Sequence, residues 1–281
     1  MFVKATKKQA KLRLAIFGPS GSGKTFSALR IAQGMSDKIA LIDTERRSAS
    51  KYADRFNFDV ADIERPTIDN YVNVITQAKG YEVLIIDSLS HSWHELMQEV
   101  ERIAKAKYRG NTWSAWSEGT PLQKKLVDAI LDFPGHVIAT MRTKTEWLVE
   151  TTDKGKTKPV RVGLSPEQGK GIEYEFDMLI ELTPEHFANI IKDRTGKYQD
   201  NTIEKPGEDF GKELINWLGS GEVDQTAEKL EELRLAIEKS ESVDHLATIY
   251  KENKDLLNNP TYNKIVTARK KELQKQFELV S

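Results

Sequence analysis

The segment Gly18-Pro19-Ser20-Gly21-Ser22-Gly23-Lys24-Thr25 constrains this chain more than any other. It follows a short apolar run, Leu12–Phe17, and precedes Thr25–Met35, where Phe26, Leu29, Ile31 and Ala32 supply one apolar side. A buried strand, a glycine-rich loop and a helix in that order form a phosphate cradle. The glycines let backbone N–H groups turn inward at the positive end of the helix. Lys24 then places a point charge on the β- and γ-phosphates of ATP, and the Thr25 hydroxyl takes Mg²⁺. Phe26, next in the chain, is counted with the nucleotide-binding residues.

The remaining pattern extends this unit. Lys38–Asp43 and Val83–Asp87 are apolar runs, each closing on an aspartate, with a helical stretch from Ile68 to Lys79 between them. Helices are expected over Trp93–Lys107 and Pro121–Phe133, and a fourth strand over His136–Met141. Met178–Thr183 and Phe187–Lys192 read as a hairpin about Pro184-Glu185-His186, adding antiparallel strands at one edge. Strands alternating with helices predict an α/β fold with a mostly parallel, doubly wound sheet. A short amphipathic segment, Phe210–Leu218, precedes Gly219-Ser220-Gly221, after which the pattern is helical only. Two domains follow: a core over 1–220 and a helical appendage of three helices over 221–281.

The bulk numbers narrow the setting. No cysteine occurs among the 281 residues, which excludes disulfides, thiolate metal sites and cysteine nucleophiles. No apolar run has the length of a membrane span, and the start of the chain lacks a signal-like apolar stretch. A cytoplasmic location and no membrane partner are expected. The net charge of −1 means that any nucleic-acid contact must come from local basic patches. His91 and His94 lie on one helix face without further ligands nearby and read as ordinary helix residues.

Asp87, ending its strand, is positioned to hold Mg²⁺ together with Thr25. Ser88, rather than glutamate, follows it, which speaks against an AAA+ type of arrangement. The chain instead resembles the RecA-like P-loop ATPases, on residues 10–218. That resemblance implies that Glu45, in Leu41-Ile42-Asp43-Thr44-Glu45, polarises the attacking water. It also implies that Lys192 and Arg194, in Lys192-Asp193-Arg194-Thr195-Gly196, reach the γ-phosphate of a neighbouring subunit, so that a homo-oligomer, ring or filament, is expected. Thr140 falls at a sensor position where the family commonly has glutamine or asparagine, and Tyr52 where an aromatic can stack on adenine. A bare core with a short helical tail is similar in layout to phage-encoded recombination ATPases of the single-strand-annealing type.

Two segments fit single-stranded DNA. Lys105–Trp116 interleaves Lys105, Lys107 and Arg109 with Tyr108, Trp113 and Trp116, so that cations can meet phosphates while rings stack on bases. Residues 142–161 carry six basic residues, among them Arg142, Lys154, Lys156 and Lys158, against three acids, with a mobile turn expected at 153–158. The tail has nearly balanced charge and can dock a protein partner that its sequence does not name. Recombination or strand annealing, a ring motor of helicase type, and a P-loop enzyme such as a small-molecule kinase all remain open at this point.

Overall fold

The computed structural model describes residues 10–151, 157–220, 225–253, 256 and 259–278. The central sheet has eight strands in the order β10-β9-β8-β1-β5-β4-β2-β3. They are β1 (Arg13–Phe17), β2 (Ile39–Asp43), β3 (Asp59–Asp62), β4 (Val83–Asp87), β5 (His136–Met141), β8 (Met178–Leu182), β9 (Phe187–Asp193) and β10 (Thr202–Glu204). From β8 through to β3 every neighbouring pair is parallel. β1, β2 and β4 are buried along their whole length, which is why they read as unbroken apolar runs.

Alternate residues of these strands serve two cores. Ala15, Phe17, Leu84 and Ile86 pack with Tyr71 and Ile75 of α2 (Ile68–Gln77), Leu96 and Val100 of α3 (Ser90–Lys107), and Leu126 and Ile130 of α4 (Thr112–Leu131). Leu14, Ile16, Val83 and Ile85 pack on the other face with Leu29 and Ile31 of α1 (Lys24–Met35) and Leu214 and Leu218 of α6 (Glu208–Gly219). The period of two along each strand thus builds an α/β sandwich of the P-loop type. β5 lies between β1 and β4, so the carboxyl ends of β1, β5, β4 and β2 form one continuous edge.

Several expectations need correction. β8 joins β1 in parallel, so the antiparallel pairs of this sheet are β8–β9 and β9–β10, because the β8–β9 hairpin inserts its first strand into the main sheet. β3 carries no strand signal in the sequence: its Asp-Val-Ala-Asp is polar and mostly exposed, and it is a strand only because it pairs with β2 at the sheet edge. α4 begins at Thr112 rather than Pro121, with Asn111 accepting a hydrogen bond from the Ser114 N–H (3.2 Å). Its first turns are held against α3, where Gly119 passes so close that a Cβ would lie 2.5 Å from Val100 Cγ2. Residues 143–151 and 157–166 form an antiparallel hairpin, β6 (Thr143–Thr151) and β7 (Thr157–Pro166); of the turn expected at 153–158, residues 153–156 lie outside the described residues and 157–158 belong to β7. The hairpin's strand pairing, rather than apolar alternation, makes it regular. A four-residue helix, α5 (Ile172–Glu175), leads from it to β8.

The second compact unit contains α7 (Gln225–Glu238), α8 (Val243–Glu252) and α9 (Pro260–Glu278). Ile237, Leu246, Ile249, Tyr262 and Leu273 form its core. Among the described residues no helix is long and apolar enough to cross a membrane.

Candidate functional site

The loop between β1 and α1 is shaped by its glycines. Gly23 has φ 86°, a left-handed conformation that a side chain disfavours, immediately before the helix. Gly18 passes the Leu182 carbonyl so closely that a Cβ would stand 2.5 Å from its oxygen. Lys24 arches back over the loop and donates to the carbonyls of Gly18 (3.0 Å) and Pro19 (2.9 Å). Burial lowers the Lys24 pKa, opposed by the charges of Asp87 and Glu45.

Across the sheet edge, Thr25 Oγ1 donates to Asp87 Oδ2 at 2.6 Å, and Thr140 Oγ1 donates to Asp87 Oδ1. Asp87 is 2% exposed, and burial pushes its pKa up against these two hydrogen bonds. Thr140 therefore serves the carboxylate, rather than facing the nucleotide directly as a sensor would. Glu45 leaves the end of β2 and pairs with Arg142, just after β5, at 3.3 Å. The strand order makes this set possible: Asp87 and Thr25 are 62 residues apart, Arg142 and Glu45 are 97 apart.

These groups line a cavity of about 640 Å³. Its walls include Gly18, Pro19, Ser20, Gly21, Gly23, Lys24 and Thr25 of the loop, with Phe26, Tyr52, Glu45 and Asp87. Ser22 is the one loop residue expected at the site that does not line it: it is fully buried, and its hydroxyl has no hydrogen-bond partner. Tyr52 packs its ring on Phe26 (5.6 Å between centroids), and Phe26 in turn meets Phe56 (5.3 Å). An aromatic wall therefore stands beside the phosphate loop.

The residues fit a magnesium nucleotide. Backbone N–H groups, a lysine and glycines without Cβ atoms suit a triphosphate. The Thr25 hydroxyl and the Asp87 carboxylate supply hard oxygen ligands, with phosphate oxygens completing the coordination. Among the described residues no group of three or more His, Asp or Glu side chains could hold a metal by themselves. His91 instead meets Thr44 Oγ1 through Nδ1 (2.7 Å), and His94 pairs with Glu167 (3.0 Å).

Lys192 and Arg194 do not line this cavity. Lys192 Nζ donates to the carbonyls of Glu173 (2.9 Å) and Tyr174 (3.1 Å), and Arg194 pairs with Asp177 (3.0 Å) and donates to the Tyr174 carbonyl (2.9 Å). Lys192 lies near the end of β9 and Arg194 just after it, beside Tyr174, which is 70% exposed. Lys154 and Lys156 lie outside the described residues, as do the side chains of Lys158 and Arg161. In the other basic–aromatic segment, Trp113 is 87% exposed, whereas Trp116 stacks on Trp93 (5.4 Å). Lys107 and Tyr108 are both held by Glu118.

Besides Thr143, which lines the cavity from the start of β6, three residues at or beside the site escaped sequence reasoning. Glu167 lines the cavity from the end of the β6–β7 hairpin. Arg142, noted in the sequence only as part of a basic stretch, reaches Glu45. His186, in the β8–β9 turn, meets the Ser22 carbonyl through Nδ1 (3.0 Å). None belongs to a short motif, and only the position of Arg142 directly after an apolar strand carried a signal.

One solved structure, described as a prototypical ATPase from the type III secretion system of pathogenic bacteria, aligns over 93% of this chain and 81% of its own. The identity is 14% and the TM-score 0.38. No curated protein matches the chain. The family described as the AAA domain matches residues 10–207. The match stands although Ser88, rather than glutamate, follows Asp87, so the expectation drawn from Ser88 against an AAA type is corrected. With the match covering most of the chain, the protein belongs to the AAA domain family, a P-loop nucleotide-binding family.

Proposed function

We propose that the protein is a Mg²⁺-dependent ATPase of RecA-like mechanism that acts on single-stranded DNA in recombination or strand annealing. The observation that carries the ATPase reading is the convergence of Lys24, Thr25, Asp87 and Glu45 on one cavity at the carboxyl edge of the sheet. Bound Mg²⁺ would neutralise charge on the β- and γ-phosphates. Lys24 holds the phosphates, Thr25 and Asp87 hold the metal, and Glu45 orients water and takes its proton. Phe26 and Tyr52 offer apolar surface to the base.

The DNA part of the reading rests on the turn between α3 and α4. There Lys105 and Arg109 are exposed, and Trp113 stands free of the core. A solvent-facing tryptophan near unburied cations suits base stacking with phosphate contacts. The placement of Lys192 and Arg194 away from the chain's own cavity supports service to the nucleotide of a second copy in a head-to-tail ring or filament. The three-helix unit is read as a docking module for a protein partner. The test is the steady-state ATP hydrolysis rate with and without single-stranded DNA. Stimulation that falls as salt rises is expected. A rate indifferent to DNA at low salt, with no binding, would remove the DNA assignment and favour a P-loop enzyme acting on a small molecule.

A further inference from the structure

Asp43 ends β2 and is 1% exposed, yet it does not line the cavity. A buried carboxylate away from ligand needs an internal reason. Its two oxygens are divided between two backbone donors: Oδ1 accepts the Glu45 N–H (2.6 Å) and Oδ2 accepts the Ala49 N–H (2.9 Å). One side chain therefore ties down both ends of the turn that carries Glu45. The turn contains two successive non-glycine residues in the left-handed region, Arg46 (φ 55°) and Arg47 (φ 65°). Such conformations are strained for residues with a side chain and persist only where the surroundings hold them. The holding groups are the Asp43 carboxylate, the Arg47–Asp62 ion pair (3.0 Å), and the Thr44 N–H bond to the Asp87 carbonyl (2.8 Å).

We infer that Asp43 is a positioning residue for hydrolysis, which sets the place of the Glu45 carboxylate without touching nucleotide. This rests on the reading of Glu45 as the base. ATP binding does not depend on it in the same way. The phosphate loop belongs to a different strand, and Tyr52, three residues beyond Ala49, is held in addition by Phe26 and Phe56. Asparagine at position 43 can accept only one of the two N–H groups, because its amide nitrogen is a donor. The turn would then lose one tether, and a displacement of the base by about 1 Å can cost up to ~100-fold in rate.

The experiment is a cycle of Asp43→Asn, Glu45→Gln and the double variant. It reads single-turnover ATP hydrolysis and the affinity for a slowly hydrolysed ATP analogue. Asp43→Asn is expected to slow hydrolysis by about 10- to 100-fold with affinity kept within about threefold. It should add nothing in the Glu45→Gln background, since positioning a group that cannot act has no effect. If Glu45→Gln is slow but Asp43→Asn hydrolyses normally, the inference on Asp43 is wrong and the base assignment stands. If Asp43→Asn slows the Glu45→Gln variant as much as the parent, or weakens affinity in step with rate, its role is general structure and the inference also fails. If Glu45→Gln hydrolyses normally, the base assignment itself falls, and this inference with it. Should Asp43→Asn not fold, Asp43→Ser, which also keeps one acceptor, carries the same comparison.

Discussion

Replacing Thr140 with valine keeps the shape of a fully buried side chain and removes only the hydroxyl that donates to Asp87. The carboxylate would then keep a single side-chain donor, Thr25. A hydrogen bond to a buried charged group contributes about 1.5–3 kcal/mol, against about 0.5–1.5 kcal/mol for a neutral pair. The loss should therefore depend on the protonation of Asp87. Burial already raises its folded pKa above the ordinary 3.8. Between the unfolded and folded pKa values the native state binds more protons than the unfolded state, so stability falls as pH rises through that window. Without Thr140 the folded pKa moves higher, and the window widens upward. Thr140→Val should cost more at pH 8 than at pH 4.5: about 1.5–3 kcal/mol while Asp87 is ionised, and less as its raised pKa lets it take a proton. Urea unfolding of both proteins at the two pH values, followed by tryptophan fluorescence, measures the difference. An equal loss at both pH values, or a larger one at pH 4.5, would refute the view that Asp87 is held as a buried anion by this hydroxyl.

Two further outcomes follow from contacts elsewhere. Trp113→Ala should weaken single-stranded DNA binding by roughly 1–3 kcal/mol with an unchanged salt slope, since stacking releases no counterions. Because Trp113 is 87% exposed, its thermal transition should stay at the parent's temperature. Gly34→Ala puts a Cβ into the Glu208 carbonyl where α1 and α6 cross. The overpacking cost of about 1–3 kcal/mol should exceed the helix-propensity gain of roughly 1 kcal/mol, so the melting temperature should fall rather than rise.

Much of the phosphate site was legible because it is local. Gly18–Thr25 needs only a strand before it and a helix after it, and both are written in adjacent residues. Asp87 was legible for a related reason: fully buried parallel strands read as apolar runs, and a charge at their carboxyl end marks the functional edge, whereas Glu45, two residues beyond its strand, came only from the resemblance of residues 41–45 to the RecA-like ATPases. The Lys105–Trp116 segment showed the limit of this approach. Its composition treated three aromatics alike, whereas packing stacked Trp116 on Trp93, engaged Tyr108 with Glu118 and left Trp113 outside.

The sequence by itself determined the strand–loop–helix unit, the apolar strands beside it and the helical character of the last sixty or so residues, since propensity and period act over a few neighbours. Only the tertiary structure decided which distant groups meet. Placing β5 between β1 and β4 brought Thr140 to Asp87 and Arg142 to Glu45, and the β8–β9 turn brought His186 to Ser22, 164 residues away. Sheet order and register are set by burial on both faces at once, a sum over the whole core. The same sum turned Asp43 from one more strand-end acid into a clamp on the turn of Glu45, since its two acceptors are matched only when that turn folds back over it.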